Sequence, residues 1–204
     1  MLITRRLLSS IRPVTYQDMM HGKDYGAQKL RGWLACEKFD GCRGYWDGQR
    51  MWSKEGNEIT LPAEWRAALP AMPLDGEIYA GRGRFFTARN AVVFNKWDDE
   101  GLCYRVFDAP QASGTWVQRL DAASSALIRC GAFASVVEPV VITSERHAWE
   151  LLQSALDEGA EGLMVRHPAN MYRPGRTSQL LKLKKLPGAA WKWRAKQIDR
   201  LVGV

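Results

Sequence analysis

Cysteine and histidine are scarce in this chain of 204 residues, with four of the first and three of the second. Cys36, Cys42, Cys103 and Cys130 form no CxxC pair, and His21, His147 and His167 lie far from one another. Neither a zinc framework nor a disulfide scaffold is legible in that spacing, so the cysteines read as reduced, small core residues. No hydrophobic run approaches the roughly 18 residues needed to span a membrane, and there is no internal repeat, heptad run or low-complexity linker. The opening MLITRRLLSSIRPVT is basic and carries no acid, which faintly resembles a transit peptide. It lacks the apolar stretch of about 7 to 15 residues that a secretory signal requires. These absences leave a soluble, cytoplasmic protein with no membrane partner as the expectation.

What is present is the composition of a packed domain. Hydrophobic residues make up 46% and aromatics 10%, enough for a core rather than disorder, and the length suits one good-sized domain or two small ones. The net charge of +7 is uneven. From Met171 to Val204 there are nine Lys and Arg against the single acid Asp199, a surplus of eight, so the preceding 170 residues carry −1. A basic end on a near-neutral body suggests a polyanionic partner or a phosphate-rich ligand there, with a solvated basic face as the alternative.

Short strand-like runs alternate with two helical patterns. Residues 32–60 read as an antiparallel ribbon (WLACEKF, GYWD, RMWSKEG) with a hairpin signal at Asp47-Gly48. Further strands are expected at 74–80, 103–109, 135–142, 162–167 and 180–186. Residues 114–127 can form a helix. The stretch 145–158 is a clearer one, because Ala148, Leu151, Leu152, Ala155 and Leu156 recur at helical spacing and Ser144 is placed to cap it. This mixture implies an α+β fold with antiparallel sheets packed on helices. Past Pro187-Gly188 the tail AAWKWRAKQIDRLVGV fits either a short basic helix or, at DRLVGV, the start of a strand. Gly81-Arg82-Gly83-Arg84 lacks the third glycine of a dinucleotide loop and a following helix signal, and reads as a turn.

Six polar clusters interrupt these runs: EKFDGCRG (37–44), SKEG (53–56), LDGE (74–77), YRVFD (104–108), EGLMVR (161–166) and LLKLKK (180–185). Charges inside strands are costly if buried without partners, so several of them should converge on one charged site. Any one cluster alone reads equally as surface.

Their order and spacing resemble the covalent nucleotidyltransferase superfamily, in particular the small ATP-dependent DNA ligases of bacteria and viruses, over about three quarters of the chain, from Trp33 to Lys185. Lys38-Phe39-Asp40-Gly41-Cys42-Arg43 fits the opening K-x-D-G-x-R motif, and Leu181-Lys182-Leu183-Lys184 the closing K-x-K strand. Asp75-Gly76-Glu77, Tyr104 to Asp108 and Glu161 to Arg166 fit the motifs between. The resemblance implies a nucleotidyltransferase (ATP-grasp-like) domain over 1–186, its nucleotide pocket between the sheets. Residues 187–204 would then be a basic tail or the start of a missing OB-fold domain.

By the same resemblance, Lys38 attacks the α-phosphate of ATP, carries AMP as a phosphoramidate, and passes it to the 5′ phosphate of nicked duplex DNA. A lysine with a pKa of about 10.4 is neutral only about 0.04% of the time at pH 7, a deprotonation cost of roughly 4.6 kcal/mol. Lys182 and Lys184, on one strand face, are expected to lower that cost and to steady the phosphates. Asp40 would support the lysine. Glu77 and Glu161 would contact ribose and hold Mg²⁺ or Mn²⁺, Phe107 would stack on adenine, and Glu37 would meet the base through its backbone. Arg43 and Arg176 would grip phosphate, and Arg43 and Lys54 would touch nucleic acid. Lys54 stands in SKEG where many such ligases have an arginine, so its grip lacks the guanidinium fork. The expected assembly is a monomer. An RNA ligase, a GTP-using capping enzyme and a non-catalytic nucleic-acid-binding relative are the alternatives.

Overall fold

A computed structural model describes residues 12–184; the N-terminal basic stretch up to residue 11 and the tail 187–204, with its Trp191 and Trp193, lie outside them. Two sheets carry the fold. The first contains β1 (Met20–Asp24), β2 (Leu34–Glu37), β9 (Val140–Val141), β10 (Gly162–Arg166) and β11 (Gly175–Lys184), ordered β1-β11-β10-β2-β9. The second contains β3 (Cys42–Trp46), β4 (Met51–Trp52), β5 (Glu58–Ile59), β6 (Leu74–Tyr79), β7 (Cys103–Asp108) and β8 (Ala134–Val136), ordered β5-β4-β3-β6-β7-β8. Pairing is antiparallel except for β1 with β11 and β7 with β8. The helices are α1 (Ala63–Ala68), α2 (Phe85–Phe94), α3 (Trp116–Ala126) and α4 (Glu145–Asp157). Among the described residues no helix is long and apolar enough to cross a membrane.

Period-two alternation decides which side chains reach the cleft between the sheets. On β7, Tyr104 and Val106 are buried in the core of the second sheet, together with Trp46, Ile78 and the α2 residues Ala88 and Ala91, while Phe107 turns to the opposite face. On β11, Leu181 and Leu183 pack against Ala148 and Leu152 of α4, so Lys182 and Lys184 face the cleft. The Ser144 hydroxyl caps α4 by accepting from the His147 amide at 3.0 Å. A third cluster of Leu34, Cys36, Trp116, Leu120 and Val137, with Phe107 and Met164 against it, joins the sheets.

Five features differ from the sequence reading, one of them the short helix α1, which no expected element covered. The expected strand 135–142 is two strands in different sheets, separated at Pro139, which has no amide to continue a ladder. The ribbon 32–60 is likewise divided: β2 joins the first sheet, and only β3, β4 and β5 form the hairpin ladder around Asp47-Gly48. The glycine-rich turn at 81–84 leads straight into α2. That helix buries only Ala88 and Ala91 and leaves Phe86, Val93 and Phe94 exposed, so its large apolar residues do not mark its core face. Strand β1 was not foreseen, because HGKD has neither alternation nor β-branched residues.

Candidate active site

A cavity of about 580 Å³ opens between the two sheets, with Lys38, Glu77, Phe107, Arg176, Lys182 and Lys184 among its lining residues. The convergence expected of the polar clusters is therefore present, and each side chain arrives there for a local reason.

Lys38 follows β2 directly and its backbone amide donates to the Gly162 carbonyl at 2.9 Å, which sets the start of β10 beside it. The Lys38 ammonium donates to Glu161 Oε2, and Lys184 Nζ donates to Glu161 Oε1 at 2.9 Å. Burial pushes the Glu161 carboxyl up, but hydrogen bonds from Lys38 and Lys184 outweigh it and hold the group below the ordinary range. Lys184 is raised by the same contact. Lys182 and Lys184 do share the cleft face, yet the carboxylate between Lys38 and Lys184 neutralises the field that Lys184 was expected to exert on the nucleophile. Two motif glycines make this close packing possible. A Cβ on Gly41 would lie 2.2 Å from the Ile78 carbonyl oxygen, and one on Gly162 would lie 2.2 Å from that of Leu183 at a φ of +143°.

Phe107 lines the other wall, facing the cluster that contains Met164, Cys36 and Trp116. Its placement is over-determined. Trp116 Nε1 donates to the Phe107 carbonyl at 2.7 Å, the Arg166 guanidinium lies 4.3 Å from the Trp116 ring centre, and that of Arg43 lies 5.0 Å from the ring of Phe107. Behind it, buried Asp108 pairs with Arg119 at 2.7 Å and with Arg166. Arg119 donates onward to the Asn170 carbonyl at 3.0 Å. The result is an apolar slot wall formed by Phe107 and Met164, of the kind a purine base packs against.

Arg43 is bound to buried Asp75 through Nε at 2.8 Å and Nη2 at 2.5 Å, and Nη2 also donates to the Met20 carbonyl at 3.0 Å. What it presents to the cavity is mainly its flat face. Tyr172 completes the group, donating to Asp75 at 2.7 Å and accepting from the Met20 amide at 3.2 Å. Met20 and His21 of β1 thus belong to the cavity wall, with His21 stacked on Tyr16 at 3.6 Å and donating to its carbonyl at 2.7 Å. The sequence reading missed Met20, His21, Asp75, Trp116 and Tyr172. Asp75, within the Asp-Gly-Glu motif, was the one with a signal.

Glu77 has neither a hydrogen bond nor an ion pair among the described residues, and burial pushes its carboxyl up to about 7 against the opposing pull of Arg43 and Lys38. Asp40 is exposed and lines a smaller side cleft with Glu37 and Glu161. Arg176 and Lys54 are at the cavity wall, Lys54 beside Glu55 at 3.6 Å. Among the described residues no group of three or more His, Cys, Asp and Glu is arranged to hold a metal ion by itself. One unpartnered carboxylate in a cavity that also holds Lys38, Lys182, Lys184 and Arg176 fits Mg²⁺ that shares its ligands with phosphate oxygens.

The model of the ATP dependent DNA ligase domain family matches residues 37–184. A DNA ligase of Haemophilus influenzae is 31% identical over 173 residues, covering 84% of this chain. The chain spans 65% of that relative's length. Among solved structures, one from a structure-function analysis of Lig E DNA ligases aligns with a TM-score of 0.73 at 28% identity, covering 82% of this chain and 68% of that one. A Chlorella virus DNA ligase-adenylate aligns with a TM-score of 0.68 at 23% identity, over 81% of this chain and 66% of that one, and shares the fold.

Proposed function

The chain belongs to the family of ATP-dependent DNA ligase domains, and on that premise we propose that it is the adenylylating part of an ATP-dependent DNA ligase, with Lys38 as the nucleophile. The observation that carries the proposal is the meeting of Lys38, Glu161 and Lys184 in one ion-paired group whose two lysines line the cavity with Phe107.

Adenine lies against Phe107 with Met164 beneath it, and the backbone at Glu37 marks the base edge. The phosphates run toward Lys182, Lys184 and Arg176. Glu161 is held ionised, so it orients the Lys38 amine rather than taking its proton. As an anionic triphosphate enters, it competes for Lys184 and Lys182, and Lys38 is released to face the α-phosphorus. The Lys38 ammonium first gives one proton to solvent; the neutral amine then forms a nitrogen–phosphorus bond as the bond to the pyrophosphate oxygen breaks, and the nitrogen gives up a second proton to solvent to leave the phosphoramidate. Lys182 and Lys184 stabilise the charge on the departing pyrophosphate. A Mg²⁺ ion, when bound, would be held by Glu77 and by Glu161 once it leaves Lys184, and would offset phosphate charge.

Lys54, exposed at the cavity wall, and Asp40, in the side cleft beside Glu161, are assigned to the nick ends, and those two positions are the support for the assignment. The partner is nicked duplex DNA, bound by a monomer. The test is a gel assay with 5′-labelled nicked DNA and the matching nicked RNA duplex. AMP should appear on the 5′ phosphate of DNA, with sealing measured in the same lanes; adenylylation of the RNA duplex alone would favour the RNA ligase reading. The basic tail is taken as a phosphate-binding extension, so truncation after Lys185 should flatten the salt dependence of DNA binding, and an unchanged slope would remove the tail from the account.

A further inference from the structure

One guanidinium outside the expected site ties together the chain segments that carry it. Arg82 lies in the turn between β6 and α2, five residues after Glu77. Its Nη2 and Nε donate to the two carboxylate oxygens of Glu37 at 2.8 and 3.2 Å. Its Nη1 donates to the Glu158 carboxylate at 2.8 Å and to the Glu158 carbonyl at 3.3 Å. Glu37 immediately precedes Lys38. Glu158 caps the C-terminus of α4, three residues before Glu161, where a cation also suits the carbonyl end of the helix. The Tyr79 hydroxyl adds a longer contact to Glu37 at 3.4 Å. A single side chain in the turn after β6 therefore grips the end of β2, next to Lys38, and the C-terminal end of α4, three residues before Glu161.

Two other latches join the sheets, Asp75 with Arg43 and Tyr172, which both reach Met20 of β1, and Asp108 with Arg166 and Arg119, and in both the carboxylate is fully buried. The Arg82 latch differs in being partly open, with Arg82 36% and Glu158 58% exposed. It borders the side cleft of about 130 Å³ that also contains Asp40 and Glu161. The buried latches are placed to hold the fold and the slot around Phe107. The open one is placed to set the spacing at the reacting end.

We propose that Arg82 is a positioning residue for adenylylation, fixing the Lys38 and Glu161 segments against the strand of Glu77 through its two-pronged grip on Glu37 and Glu158. The proposal rests on the adenylylation reading above. Misplacement of reacting groups by about 1 Å can cost on the order of a hundredfold in rate, so loss of the latch should act on the chemical step. The slot near Phe107 is held from the other side and should bind ATP as before.

The test is the rate of Lys38 labelling from α-labelled ATP, measured across ATP concentrations with the full chain. Arg82→Ala is expected to lower the maximal rate about tenfold or more while the KM for ATP stays within about twofold. Arg82→Lys keeps the charge but lacks the fork, so it should recover only part of the rate, and Glu158→Gln added to Arg82→Ala should cost little more. If Arg82→Ala melts below the assay temperature, Arg82→Lys alone supplies the comparison. A variant labelling at the wild-type maximal rate, or one changed only in melting temperature or KM, overturns the positioning role. Absence of label on the wild type instead overturns the adenylylation reading on which it stands.

Discussion

Lys38 and Glu161, 123 residues apart in the chain, meet as an ion pair because β2 and β10 are antiparallel neighbours whose ends coincide. The pair is only partly buried, and its second oxygen is shared with Lys184. Replacing Glu161 by Gln leaves two ammonium groups facing one another without an anion between them. Because the pair is partly exposed, the stability cost should be small, about 1 kcal/mol. The labelling rate should fall about a hundredfold, since the amine loses its orienting partner. Thermal melts and single-turnover labelling measure the two effects separately, and a rate near that of the wild type would deny Glu161 its role.

Glu77 gives a pH dependence with a definite sign. Its carboxyl is raised from 4.5 to about 7 in the folded chain, so between those values the native state binds the proton that the unfolded state releases. Stability should therefore fall as pH rises from 4.5 through 7 and level off above it. Glu77→Gln removes that penalty, and the variant should be more stable than the wild type at pH 8, by about 2 kcal/mol after allowing for partial solvent contact, and equal to it at pH 4.5. Urea unfolding at the two pH values measures this. Labelling by the wild type should rise between pH 6 and 8 as Glu77 ionises.

Asp108 stands between two buried guanidiniums, Arg119 and Arg166. Asp108→Ala leaves both cations buried and unpaired, a cost of about 3 to 5 kcal/mol. The melting temperature should drop by roughly 10 °C. A drop of a degree or two would mean that water replaces the carboxylate.

Phe107 offers a contrast to these charged groups. Phe107→Ala removes one wall of the slot while the backbone hydrogen bond from Trp116 remains available. The KM for ATP should rise about tenfold, with the maximal labelling rate much less changed; an unchanged KM would place the base elsewhere.

Much of this site was legible because its chemistry is written in short, spaced motifs. Lys38, Glu77, Phe107, Glu161, Lys182 and Lys184 sit next to glycines and alternating apolar residues whose roles are local. Strand β11 was readable since Leu181 and Leu183 alternate with the two lysines, and α4 since its apolar residues repeat at helical spacing. What escaped depends on contacts between distant segments. Met20 joins the wall through a backbone carbonyl, which no side-chain pattern reports. Tyr172 lies in a loop, and the reach of Arg82 to Glu37 and Glu158 follows only from the apposition of the sheets. The Glu161 carboxylate standing between Lys38 and Lys184 was hidden for the same reason, because spacing along the chain does not tell on which side of a pair a third group stands.

The central claim is that Lys38 carries AMP. Incubating the full chain with α-labelled ATP and Mg²⁺, then denaturing it and mapping the label by mass spectrometry, tests that most directly. One AMP should be found covalently on Lys38, none from GTP, and none on Lys38→Ala. No adduct on the wild type, or an adduct that survives in Lys38→Ala, would contradict it.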